Sequence, residues 1–216
     1  MTDHSKTYRE NRQPCAAKDC PKLAAGFSRY CHSHRHRHHY TRDPQGRILR
    51  KRQDLGPYFD LVDTYLPRWR DHEAMQRAFR WLETLLAGGS TYSGNSQAHR
   101  EIAKELRRLR LDGATGESMF RKVAAVAGYA HFNQRTWDDG PCHTVNLGHH
   151  LLRTVPRPGA GRITGQAVHA LGQEVRDTLG VLLGQFWQAV ERDVTKQTRA
   201  RDAINAELSE RPLGDG

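Results

Sequence analysis

The sequence predicts a mainly α protein, in which a small N-terminal metal-ligating module is attached to an all-α helical bundle ending in a long C-terminal helix. Three observations predict it. Three of the four cysteines and one histidine form the run Cys15-x4-Cys20-x10-Cys31-x2-His34. Residues 1–56 carry 13 Lys/Arg against 5 Asp/Glu while residues 57–216 carry 21 against 19, so a basic segment precedes a nearly neutral body. In that body apolar residues recur at intervals of three and four, the helical period, and no alternating strand pattern is seen. The expected division is a flexible N-terminus over 1–13, a basic module and linker over 14–56, and a bundle over 57–212. Leu55-Gly56-Pro57 is the junction, because Gly-Pro punctuates a chain.

The module comes first. Zinc takes four tetrahedral N or S ligands, and a closed Cys3His set leaves no position for water, so one structural Zn2+ on Cys15, Cys20, Cys31 and His34 is expected. A peptide this short cannot bury enough apolar surface to order itself, and metal ligation would supply the folding energy. His32, His36, His38 and His39 are also within reach of the fourth position; spacing favours His34. A treble-clef-like or zinc-finger-like arrangement follows, with Cys-x2-His on one helical turn. Arg29, Arg35, Arg37, Arg42, Arg47, Arg50, Lys51 and Arg52 flank or follow the ligands, with Tyr30 and Tyr40 interleaved. Such a patch attracts polyanions, and nucleic acid is the expected partner through these eight residues.

The stretch from Cys15 to Pro44 resembles the short zinc-binding element of many bacterial and phage proteins, often found beside HNH-type nuclease or DNA-binding regions. Gly26, Tyr30, Cys31, His34 and Asp43-Pro44 match its pattern, but its usual Gly before Asp-Pro is Arg42 here. The resemblance covers residues 14–45 and none of the body. It implies DNA rather than RNA, and a phage, mobile-element or bacterial accessory role.

In the body, residues 57–66 read as a short helix closed by Pro67. Over 69–87, Met75, Phe79, Leu82 and Leu86 share a face, and Gly88-Gly89 ends the run. After a loop from Ser90 to Ser96, residues 97–111 repeat the pattern with Ile102, Leu106 and Leu109, with Glu101, Glu105 and Arg108 on the wet side. Gly113 stops it. Residues 117–131 carry Met119, Val123, Val126 and Ala130 among small neighbours that allow close packing. A loop over 132–144 and a short helix near 146–153 are expected next, then a Pro/Gly-rich connector from Val155 to Gly165. Val168, Leu171, Val175, Leu179, Leu182, Phe186 and Val190 define the last helix, which continues into 191–209. Gly180 and Gly184, one turn apart, are where a neighbouring helix would come near.

Several function classes are disfavoured. There is no Walker loop, no G-x-S-x-G and no strand-led GxGxxG. No apolar run is long enough to span a membrane, and MTDHSKTYRENRQPC lacks the apolar core of a secretory signal, so a cytoplasmic protein, nucleoid-associated if it binds DNA, is expected. Cys142, His143, His149 and His150 invite comparison with a second metal site or an HNH-type nuclease. They are compressed into one short stretch without flanking strands, and the balance leans against catalysis. The alternatives are a metal-dependent nuclease centred on His143 to His150, or a protein-binding adaptor with no nucleic-acid role. The body is expected to serve a protein partner or a homodimer.

Overall fold

In the computed structural model, residues 13–88, 96–133, 140–155 and 163–210 are described, with side chains of the last helix described to Asp202. Residues 1–12 of the N-terminus expected to be flexible over 1–13, the loop residues 89–95 and 134–139, the connector residues 156–162 and the end of the chain from 211 lie outside them. Among the described residues there are seven helices: α1 His32–Thr41, α2 Gly56–Trp69, α3 Glu73–Leu86, α4 Gln97–Leu111, α5 Gly116–Phe132, α6 Pro141–Leu152 and α7 Gly165–Glu210. The β pairing among them is a single bridge, Pro14 with Leu23. No helix of the described residues is long and apolar enough to cross a membrane.

Local chemistry sets the helix starts. Ser96 accepts the His99 N–H at the head of α4, and Thr115 and Ser118 form a reciprocal capping box at the head of α5. Each such cap is worth about 1 kcal/mol. Pro57 and Pro141 occupy the first turns of α2 and α6, where a missing N–H leaves no bond unmade. Gly88 and Gly113 stand at φ +82° and +81° just beyond α3 and α4, the left-handed geometry that stops a helix.

Helix α5 is the hub. It packs on α2, α3, α6 and α7, and Met119, Phe120, Val123, Ala124, Ala125 and Val126 are fully buried. Trp187 of α7 lies across Gly128 and donates from Nε1 to the Ala124 carbonyl at 2.8 Å. The apolar stripe of α7 from Val168 to Val190 is buried as expected, with Leu182 partly covered and Leu183 joining it.

Four expectations are corrected. Pro67 does not close α2, which runs to Trp69. Its last turn is anchored by buried Tyr65 and Leu66 and by Trp69 against Phe186, which outweighs the one backbone bond a proline removes. Glu105 is not on a wet face; it is buried and paired with Arg108 at 2.5 Å. Helix α6 begins at Pro141 rather than near 146, so Cys142 and His143 are helical. Gly184 faces open space, and an added Cβ at Gly180 would meet only the Arg176 side chain of the same helix at 4.0 Å. The close helix crossing is between α6 and α7 at Gly148 and Gly172, where an added Cβ would collide with the backbone of Val168 or Thr144.

Candidate metal centre and basic surface

The chain doubles back twice to bring the donors together. The Cys15 N–H bonds to the Lys22 carbonyl at 2.9 Å, beside the Pro14–Leu23 bridge, and Asp19 takes a left-handed φ of 55° between the two cysteines. Asp tolerates that region because its short side chain bonds locally. A second turn, with Gly26 at φ +61°, is closed by the Ala25 N–H on the Tyr30 carbonyl, and the Ala16 N–H ties the first turn to the second through Arg29. Cys31 then caps α1, and His34, three residues on, falls on the same helical face.

The result is a group of four donors, Cys15, Cys20, Cys31 and His34, whose ligand atoms all lie within 4.8 Å of one another and could hold a metal ion. His34 Nδ1 is 3.4 Å from Cys15 Sγ and 3.5 Å from Cys31 Sγ, and Cys20 Sγ is 4.0 Å from Cys31 Sγ. The Cys31 N–H points at Cys15 Sγ across 3.2 Å. Burial opposes ionisation of Cys15, but that N–H, the Ala17 backbone, His34 and Cys20 outweigh it and bring the thiol down to about 6. Cys20 moves up instead: the Lys22 backbone lowers it, but burial and the neighbouring Cys15 and Cys31 prevail. Beneath the donors lies only a small buried cluster of Cys15, Ala17 and Cys31, far short of a core that would order the turns alone. Among the described residues, Cys142, His143, His149 and His150 form no second group of three or more donors.

Those α6 residues hold the chain instead. Asn146, fully buried, accepts the Leu49 N–H at 2.8 Å and donates to the Arg47 carbonyl at 3.0 Å. His150 Nε2 meets the Leu49 carbonyl at 3.1 Å, and Cys142 Sγ lies 3.5 Å from the Arg47 carbonyl. Burial pushes the Cys142 thiol up to about 11, so it is a protonated, inert group. Gly46 passes so close that a Cβ there would meet Thr41 Oγ1 at 2.6 Å and Cys142 Sγ at 2.8 Å. With Leu49 and Leu55 buried in the main core, the stretch between module and bundle is packed into the body. Nothing in the sequence pattern around Asn146 announces this role.

Seven of the eight expected cationic contacts, Arg29, Arg35, Arg37, Arg42, Arg50, Lys51 and Arg52, are exposed and carry no ion pair among the described residues. Arg47 is the exception, holding Asp54 through two bonds of 2.7 and 2.8 Å. On α1, Thr41 is buried and His34 faces the donors, so Arg35 and Arg37, about 200° apart at 3.6 residues per turn, flank the outer face. That face carries His36 and Tyr40, whose rings meet at 4.6 Å. Arg42 follows at φ +60°, the position where the resembled element has Gly. No family model, curated protein or solved structure matches the chain.

Proposed function

We propose that the N-terminal module is a structural zinc site that presents an arginine surface to nucleic acid, DNA in preference to RNA, while the helical body serves a protein partner or a second copy. Zinc suits the donor set because three thiolates and one imidazole leave no open coordination position for catalysis. Three of the six donor separations, 3.4, 3.5 and 4.0 Å, compare with tetrahedral edges of about 3.5 to 3.8 Å for zinc bonded to S and N. The observation that carries the nucleic-acid reading is the placement of Arg35, Arg37 and Arg42 directly beyond the donors, exposed and with no carboxylate paired to them among the described residues. A guanidinium in that state matches phosphate oxygens in geometry and charge.

Elemental analysis of the purified protein tests the reading. About one zinc per chain is expected, lost in Cys15→Ser/Cys20→Ser together with binding to a duplex oligonucleotide. A metal-free protein that keeps an ordered module and full duplex affinity contradicts it.

A further inference from the structure

Lys122 lies in the middle of α5, on the body, and is buried, with 7 % exposure. Its Nζ stands 5.0 Å from the centre of the Phe59 ring, and the Arg121 guanidinium lies over the same ring at 4.6 Å. No carboxylate pairs with Lys122 among the described residues. Of the nearby acids, Asp63 is held by Arg121 and Asp54 by Arg47 and the Arg50 N–H, and Asp60 is exposed. A buried ammonium without a counter-charge is costly, and structures normally pair it. Here the neighbouring groups make the imbalance worse. Burial, then Lys51 and Arg121, outweigh the pull of Asp63 and bring the Lys122 amine down to about 8, and its charge in turn weighs on His150. Lys51 is exposed, in the same basic run as Arg50 and Arg52.

We propose that Lys51 and Lys122 form an anion site that seats one phosphate group at the junction of module and body. A phosphate oxygen there would receive hydrogen bonds from both amines and add negative charge beyond that of Asp63, which Arg121 already holds. Resting on the nucleic-acid reading above, the phosphate is one of the bound strand's backbone. It would carry the contact surface from Arg50 and Arg52 onto the helical bundle. Lysine serves as a point charge in such a site, with no demand for bidentate geometry.

The test is acetylation of the full-length, zinc-loaded protein by an amine-reactive reagent, followed at Lys122 and Lys51 by mass spectrometry. The reaction is run in chloride, in inorganic phosphate at the same ionic strength, and with a duplex oligonucleotide. Both phosphate and duplex are expected to slow acetylation of Lys122 several-fold. Lys122→Met, which replaces a buried charge by an apolar chain, should keep the fold and lower the slope of log affinity against log salt by about 0.9. If phosphate protects Lys122 but the duplex neither binds nor protects, the anion site stands and the nucleic-acid reading falls. If the duplex binds and Lys122 reacts at the same rate in all three conditions, the anion site is overturned and the reading stands. The unsubstituted protein decides the matter even where Lys122→Met fails to fold.

Discussion

Arg42 pays for its position. At φ +60° it occupies the left-handed region that disfavours a side chain with a Cβ, just past the end of α1. Such a residue costs about 1 kcal/mol or more relative to glycine. Arg42→Gly should therefore raise stability by about 1 kcal/mol in denaturant titration and weaken duplex binding in the same protein. A loss of stability, or a gain with affinity unchanged, would remove the case for Arg42 as a phosphate ligand. His150 carries a second residue-scale prediction. Its imidazole is held down to about 4, first by burial, whereas the unfolded side chain titrates near 6.5. The folded state then binds fewer protons than the unfolded one between those values. Its contribution to stability is complete above about pH 6.5 and is lost as pH falls toward 4, by up to about 1.4 kcal/mol per pH unit. His150→Gln, which keeps a donor for the Leu49 carbonyl, should remove that share of the slope. Titration of Cys15 acts on both proteins alike, so the comparison between them isolates the histidine.

Helices α6 and α7 make the most extensive contact in the body, and two glycines explain how they approach. Gly172→Ala would drive a methyl into the Thr144 carbonyl of α6 and should destabilise the fold by about 3 kcal/mol or more. Gly184→Ala, on the same helix but facing open space, should stabilise by about 0.5 to 1 kcal/mol. Thermal unfolding of the pair reads both, and equal effects would place the crossing elsewhere. Both glycines look alike in the sequence, because a close crossing depends on what faces it. By contrast the bounds and apolar face of α4 were legible, though its buried Glu105 was not: Ser96 starts it, Gly113 follows it, and Ile102, Leu106 and Leu109 keep one face between them. The start of α6 was hidden for a definite reason. Cys142, His143 and Thr144 read as a polar loop, but they are buried in a helix whose first turns are held where backbone groups of Arg47 and Leu49, distant in sequence, satisfy Cys142 and Asn146.

Across the whole molecule, two unequal sources of order meet. The bundle has a continuous apolar core running from Leu49 to Val190, while the module has a small buried cluster of Cys15, Ala17 and Cys31 at its group of four donors. The donors were legible because metal-ligand spacing is a local property of Cys-x4-Cys and Cys-x2-His. The clamp of α6 on Arg47–Leu49, and the burial of Lys122, arise only when distant segments pack. Charge is distributed in the same uneven way, most of the excess lying in the first quarter of the chain. The central claim is that this basic quarter, which carries the four donors, is where a polyanion docks, and salt dependence tests it most directly. Duplex affinity is titrated at several salt concentrations for the unsubstituted protein, for Arg35→Ala/Arg37→Ala/Arg42→Ala, and for Arg107→Ala/Arg110→Ala in the body. Arg108 is left intact because Glu105 depends on it. The module triple should lower the slope of log affinity against log salt by about 0.9 for each phosphate no longer neutralised, with zinc content unchanged, and the body double should leave it as it was. A slope that falls for the body double and holds for the module triple would make the zinc element a brace and the bundle the binding surface.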